Sequence, residues 1–537
     1  MRRLLATAAF AALMTAPALA YQVYPGCSIP GAAGSQWWVD PVGGKTPAAG
    51  GNGSEAAPWN SLNGVMSGSW GNNGYTVPGY TRPLLSSQPY IHVVNGVRVL
   101  AADEFGNPPV HPGDTLNLMS GAYGDFSLGI YNTASPNSDW VTIKAATGQT
   151  PVFQSLYMRS TNKLVFDGLT VRSIWGTNGS RFGLISVYDQ GANLATTDII
   201  FNNMALSSAA DTSGWTQAQW AAQGRNGFNE TGTPGDGTNG EPATSCIAFE
   251  GGHIFNVRTG VILFGNNSLF AGNEIDHFGD DGLVYAANNL AILRNDEHDN
   301  FDIGDSNHED AMQGQIGPKL STVPFNKFSN ILIDGNTIIR QLDSKLAFPT
   351  YLQGIDAFDS DWSNMTVTNN VVVTSACWGM YFSSVHGLLL AGNTVLEDGL
   401  IASPGCTVWL QAGGSSHQGP PSTNMRVSNN LAEHFAFGGD PLPAYDHNVA
   451  LNSYQPFAGG PAKPPGVDAN GNVSFAVAMP YAQVFQMWDP AALCFNLMLK
   501  PRSVANAAGI ALAGLATDIA GVARAAPWAV GAWGFPY

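Results

Sequence analysis

The stretch ILIDGNTI, residues 331–338, runs from alternating aliphatic residues through a Gly-Asn corner into a second aliphatic run. The same arrangement recurs as SLFAGNEI (268–275), LAILRNDE (290–297), MTVTNNVV (365–372), LLLAGNTV (388–395) and MRVSNNLA (425–432). The corner asparagines are Asn273, Asn295, Asn336, Asn369 or Asn370, Asn393, and Asn429 or Asn430. The tightest spacings are 22 residues, from Asn273 to Asn295, and 23, from Asn370 to Asn393; the longer ones fit one such unit plus an inserted loop. Helical periodicity is nearly absent. Repeats of this length imply a stacked architecture. Short strands with Asn/Gly corners imply an all-β solenoid whose coils pair along its axis. Asparagine suits the corner because it tolerates left-handed dihedrals and its amide can bond backbone groups. Stacked asparagines can then form a hydrogen-bonded ladder. Propeller blades need about 40 residues and four strands each, which the shorter unit does not supply.

The chain has 537 residues, 22 basic and 39 acidic, for a formal charge of −17. Such an acidic balance speaks against nucleic acid or an anionic membrane as partner, since both need basic patches. The length fits either several domains or one elongated repeat domain. Residues 1–20 read as a secretion signal. Arg2 and Arg3 precede the apolar run Leu4–Met14, and Ala18-Leu19-Ala20 supplies the cleavage site, so the mature chain is expected to begin at Tyr21, secreted or periplasmic. No later stretch has the length and apolarity of a membrane span; residues 505–526 come closest, interrupted by Asp518 and Arg524. Five cysteines, Cys27, Cys246, Cys377, Cys406 and Cys494, leave at least one unpaired and allow one or two bridges. None has zinc-site spacing, and no organic cofactor is expected.

Both flanks of the repeat carry further signatures. WWVDPVGGKTPAAGGNGSEAAPWNSL (37–62) precedes VHPGDTLNLMSGAYGDF (110–126), and SVANAAG (503–509) with TDIAGVARAAPWAVGAW (517–533) closes the chain. With the Asn-cornered coils, these segments resemble the pectate-lyase-like right-handed parallel β-helix superfamily over most of the mature chain. The resemblance implies a single-stranded right-handed parallel β-helix over 111–440, with an N-terminal cap segment over 21–110, an insertion over 207–245 and a C-terminal region, 441–537, that lacks the Asn ladder and packs on the solenoid. It implies no single reaction, because the superfamily holds polysaccharide lyases, glycoside hydrolases, uronate epimerases and non-catalytic adhesins.

Against this frame of low charge, GDSNHEDAMQGQIG (304–317) packs Asp305, His308, Glu309 and Asp310 together, with Gln313 and Gln315 following. Aligning residues 280–286, 309–315, 352–358, 377–382 and 406–411 puts Leu283, Met312, Ile355, Met380 and Val408 at one phase, expected to face inward. The next residues, Val284, Gln313, Asp356, Tyr381 and Trp409, then form an outward file on coils about 4.8 Å apart. Aromatic faces pack on pyranose rings, and amides and carboxylates bond hydroxyls, so Gln313, Gln315, Tyr381 and Trp409 are expected to bind a polysaccharide. Asp281 and Asp310 share one register position on adjacent coils. Stacked carboxylates repel, so one keeps its proton, as the acid/base pair of a glycosidase requires. Asp310, Asp356, Asp281 and His308 are therefore the expected catalytic groups, with Lys345 the candidate base should the reaction be uronate β-elimination. Asp280, Asp305 and Glu309 are candidate ligands for Ca2+ on acid density alone. The expected protein is a secreted, monomeric enzyme that cleaves a polysaccharide; a uronate C5-epimerase or a glycan-binding adhesin are the alternatives.

Overall fold

The computed structural model describes residues 21–31, 33–67, 90–94, 97–101, 110–131, 140–173, 183–188, 195–231, 244–315, 327–401, 407–414, 420–438, 443–455 and 465–534. The expected leader lies outside the described residues.

Each coil of the solenoid is made of three short strands. The coil around Asn273 runs through Ser268–Ala271, Glu274–Phe278 and Leu283–Tyr285; the next runs through Leu290–Leu293, Asp296–His298 and Asp310–Gly314. Each strand pairs in parallel with its counterpart one coil on. The result is three parallel files wound as the expected right-handed β-helix. The sequence reading takes the strand after the Asn corner to be the one that carries Asp310. That strand is the second file, and Asp310 stands in the third. His277 and His298 belong to the second file.

Asparagines divide two tasks. The residue that turns left-handed at the corner is the one before the ladder: Gly272, Arg294, Gly335, Asn369, Gly392 and Asn429 all have φ between 52° and 71°. The following residue builds the ladder. Asn336 Nδ2 donates to Asn370 Oδ1 (2.9 Å) and to the Ile292 carbonyl (3.0 Å), while its own Oδ1 accepts from Asn295 Nδ2 (2.9 Å) and the Asn295 backbone N–H (3.0 Å). The amide is saturated with bonds and fully buried, a combination that removes the usual penalty for burying a polar group. The ladder begins at Asn273 and passes through Asn295, Asn336, Asn370, Asn393 and Asn430. It does not stop there. Asn448 and Asn472 extend it, and Val449–Gln455 pairs in parallel with the coil before it. The solenoid therefore runs beyond residue 440, and the C-terminal region is shorter than the sequence suggests. The spacing changes there, to 18 residues from Asn430 to Asn448 and 24 from Asn448 to Asn472, and His447 stands before Asn448 in place of Gly or Asn, which hides the last rungs.

Inside the coils, apolar residues stack on their own kind. Phe166, Phe201, Phe249 and Phe270 occupy one register position, with ring centroids 5.3, 6.0 and 5.6 Å apart. The N-terminal end of this core is sealed. Strand Gln36–Val39 pairs with Thr115–Leu118 as an added rung, and helix Leu62–Ser67 puts Leu62, Val65 and Met66 into the core. Outside the core, the antiparallel hairpin Phe485–Asp489 with Cys494–Leu499 buries Phe485, Leu497 and Leu499 against Val371, Val373, Leu396 and Leu431. It covers the outer flank of the second file. Arg524 fastens the closing segment, donating to Asn369 Oδ1 (2.9 Å) and to the Gly531 carbonyl (2.7 Å).

The insertion expected over 207–245 is interrupted by a solenoid strand, Phe228–Thr231, which pairs with Ile185–Tyr188 and Val261–Leu263. Phe228, Asn229 and Glu230 are all buried there, within a stretch otherwise rich in Gly and Thr. Before it stands helix Gln217–Gln223, capped by Thr216 and Gln219. Cys27 is bridged to Cys246, Cys377 is also disulfide-bonded, and Cys494 is free and exposed. No helix among the described residues is long and apolar enough to cross a membrane.

Candidate active site

The third file carries the residues in question. Strands Leu283–Tyr285, Asp310–Gly314, Gln353–Ala357 and Trp378–Phe382 pair with Leu283, Met312, Ile355 and Met380 in one inward row. Val284, Gln313, Asp356 and Tyr381 form the neighbouring row, as the alternation requires. The fifth position departs from expectation. A β-bulge between Trp378 and Met380 shifts the pairing, so that Trp409 opposes Trp378 while Leu410 and Gln411 oppose Met380 and Tyr381. Gln411, not Trp409, continues the row, because one extra residue in the bulged strand is left without a partner. The shift also places Val408 and Leu410 together in the core.

A second departure concerns exposure. Gln313 and Asp356 were expected on an open strip, yet they are 3% and 1% exposed. They belong to a buried polar cluster drawn from three coils. Asp310 opposes Gln353, and Gln313 opposes Asp356. Burial of the Asp356 carboxyl beside Asp310 favours its protonated form. The Asp310 backbone N–H donates to Asp281 Oδ1 (3.2 Å), and Asn307 Nδ2 reaches Asp280 Oδ1 (2.7 Å) and Asp281 Oδ1 (3.3 Å). Over this cluster lies His308, whose Nδ1 is 2.8 Å from Asp310 Oδ2 and whose side chain is 56% exposed. Asp310 Oδ1, Gln313 Oε1, Gln353 Oε1 and Asp356 Oδ2 are all buried with no hydrogen-bond donor facing them. Four such acceptors in one place are costly, and mark a site rather than a packing detail.

The electrostatics follow from burial and crowding. Burial raises the Asp356 and Asp281 carboxyls well above the usual range, and the neighbouring Asp310 charge adds to both. Asp310 is raised by burial too, but the His308 imidazole works against the rise. In return, the hydrogen bond to Asp310 lifts His308 to about 9. Together these effects favour an imidazolium at the surface, held by Asp310 beneath it, and the protonated forms of Asp356 and Asp281 beside them. Glu309, buried among acids, rises to about 8, chiefly through desolvation.

The candidate calcium ligands are arranged otherwise. Arg258 Nε lies 3.1 Å from Asp280 Oδ2, and its Nη2 lies 3.0 Å from Asp305 Oδ2. A guanidinium thus bridges two of the three acids. Lys345 sits on an exposed turn whose backbone N–H bonds Asp343 Oδ1 (2.8 Å), and no ion pair or hydrogen bond joins it to the carboxyl cluster. Arg340 is fully buried and paired with Asp398. Gln315 follows the strand, half-buried.

Next to the cluster is an aromatic surface that the sequence reading recognised only in part. Tyr381 opposes Asp356 one coil on. Its ring stacks with Trp378 and Phe358 at centroid distances of 5.4 Å each. Trp409 packs on His434 at 4.9 Å. Phe358 and Trp378 carried no separate signal in sequence, since either one fits a core position equally well. On the other flank, helix Gln217–Gln223 walls the approach. Its Trp220 packs with Phe301, Ile303 and Leu346, and Gln217 Nε2 bonds the Asp302 carbonyl (3.1 Å) just ahead of the acidic stretch.

No protein-family profile and no curated protein matches the chain. Among solved structures, a pectate lyase aligns over 95% of this chain and 98% of its own, at 13% identity and a TM-score of 0.41. The A-module of an Azotobacter vinelandii mannuronan C-5 epimerase aligns over 68% and 91%, at 15% identity and 0.40. A surface adhesin of Streptococcus pneumoniae aligns over 69% and 86%, at 8% identity and 0.34. The fold rests on the strand pairing described above, and no activity is carried over from these proteins.

Proposed function

We propose that the protein is an exported carbohydrate-active enzyme that cleaves a polysaccharide by acid-assisted glycoside hydrolysis on the third file. The observation that carries this reading is the convergence of Asp281, His308, Asp310 and Asp356 from three successive coils beside a stacked aromatic surface. His308, protonated at neutral pH and facing solvent, is the proton donor to the leaving glycosidic oxygen; as that C–O bond breaks, water adds to the anomeric carbon, and the proton it releases recharges His308. Asp310 is the carboxylate that keeps it charged. Asp356 and Asp281 hold protons that the cluster can redistribute when His308 gives its own away. Phe358, Trp378 and Tyr381 supply faces for pyranose rings. β-Elimination has less support, because Lys345 is not joined to the cluster and Arg258 is occupied by Asp280 and Asp305. Export accords with the disulfides, which form in oxidising compartments.

The test is an assay of neutral and acidic glycans that follows reducing ends and the ultraviolet absorbance of unsaturated uronate ends in parallel, with and without a chelator. Hydrolysis predicts new reducing ends without the absorbance, unchanged by chelation. An Asp310→Asn, Asp356→Asn double variant should lose about a hundred-fold or more in rate. Full activity in that variant overturns the site assignment. Absorbing ends would establish elimination, altered composition without shortening would establish epimerisation, and binding without turnover would establish an adhesin.

A further inference from the structure

We propose that His253, Glu274 and Asp276, on the second file of strands, form a binding site for a divalent first-row transition ion of the Zn2+ type. His253 opens strand His253–Val257, and Glu274 and Asp276 lie two apart on Glu274–Phe278. The two-residue spacing puts both carboxylates on one face. Register places His253 opposite Glu274, and Asp276 opposite His298 on the following coil. One ligand atom from each of His253, Glu274 and Asp276 lies within 4.8 Å of the other two. His253 Nε2 is hydrogen-bonded to Asp276 Oδ2 and stands 3.9 Å from Glu274 Oε2. The second distance is too long for a hydrogen bond. It is close to the separation of about 3.3 Å between two ligands on a tetrahedral ion with bonds of about 2.0–2.1 Å, and the exposed Glu274 side chain can supply the difference by a small rotation.

The surroundings are those of a supported ligand set. The second oxygen of each carboxylate is held by another imidazole: His277 Nδ1 lies 2.5 Å from Asp276 Oδ1, and His298 Nε2 lies 3.3 Å from Glu274 Oε1. His298 is itself fixed by Asp299 Oδ2 at 2.7 Å, and Phe255 stacks on the His253 ring at 4.5 Å. Such outer contacts orient ligands toward a metal. The site opens to solvent, with the His253 and Glu274 side chains 41% and 50% exposed, so an ion can enter and keep a water. One imidazole with two carboxylates selects against Ca2+ and Mg2+, which prefer oxygen alone, and the lack of thiolate selects against Cu+. A bound ion would tie two neighbouring coils together through their side chains.

Titration calorimetry of the chelator-treated full chain with ZnCl2 tests the proposal, with thermal melting as a second reading. One zinc per chain is expected, with a rise in melting temperature. His253→Ala and Glu274→Gln should each weaken binding about ten-fold or more and abolish the rise. Glu274→Gln alters an exposed side chain and keeps the fold intact for the comparison. Cys494→Ser and Asp310→Asn should bind as the parent does. No saturable zinc binding, or binding that survives both second-file variants, overturns the proposal; binding lost in Cys494→Ser or Asp310→Asn instead places the ion elsewhere and overturns it equally.

Discussion

Glu230 shows what a single buried acid does to this molecule. It points into the core on Phe228–Thr231, fully buried, with Oε1 accepting from Ser268 Oγ at 2.7 Å. Desolvation raises its carboxyl to about 8, so the folded chain holds it as an acid while the unfolded chain ionises near the ordinary value of 4.5. Its contribution is therefore fully present below that lower value and is lost as pH rises toward about 8, at about 1.4 kcal/mol per pH unit. Glu230→Gln keeps the acceptor for Ser268 and removes the titration. Urea unfolding should show the variant gaining on the parent between about pH 5 and about pH 8; parallel curves would refute this. His308 titrates in the same sense, since its folded value is raised to about 9. As proton donor it should make activity fall as pH rises through that value, and Asp310→Asn should move the fall toward the ordinary imidazole range, seen in a kcat/KM profile. These residues were legible in sequence because His, Glu and Asp crowd into a chain otherwise poor in charge. Gln353 was not, since its meaning lies in facing Asp310 across a coil boundary.

At the scale of the element, the corner is the unit that sequence reveals best. A Gly-Asn or Asn-Asn pair states both a left-handed turn and a side chain able to bond along the stack, and the six Asn corners, five of them such pairs, suffice to fix the coil. The two tasks predict different costs. Asn336→Ala removes a saturated buried amide and strands the groups of Asn295 and Asn370 that bonded it; it should cost about 2–4 kcal/mol in urea unfolding. Asn364 has φ 52° and donates to Asn330 Oδ1 at an exposed position. Asn364→Gly keeps the turn without strain and should cost under about 1 kcal/mol. Equal losses would mean that the buried ladder has no special role. The bulge at Trp378 was not legible, because the count of residues between corners does not say where one extra residue is absorbed. That is why Trp409 was placed in the row that Gln411 occupies. The aromatic surface gives its own prediction. Trp378→Ala should raise KM about ten-fold and change kcat little, as loss of uniform substrate binding does; a loss confined to kcat would contradict the platform role.

Across the whole molecule, the N-terminal residues act as a strap over the first file. Tyr21, Val23 and Tyr24 pack on Val165, Ile200, Ala248 and Leu269, and the Cys27–Cys246 bridge closes a sequence separation of 219 residues. Replacing both cysteines by serine should lower unfolding stability by about 3–5 kcal/mol, measured against the parent under the same oxidising conditions. The three-file coil was only partly legible at this scale. Two strands per repeat carry Asn-flanked aliphatic runs, whereas the third is separated by loops of varying length that hide its period. That third file holds the carboxyl cluster, so the fold was clearer in sequence than the site. The claim on which the rest depends is that His308 and carboxyls from three coils form one electrostatic unit. Titrating the histidine ring carbons by NMR tests it most directly. His308 should titrate near 9 and fall toward the ordinary imidazole value in Asp310→Asn. An ordinary value in the parent, unmoved by that substitution, would contradict the account.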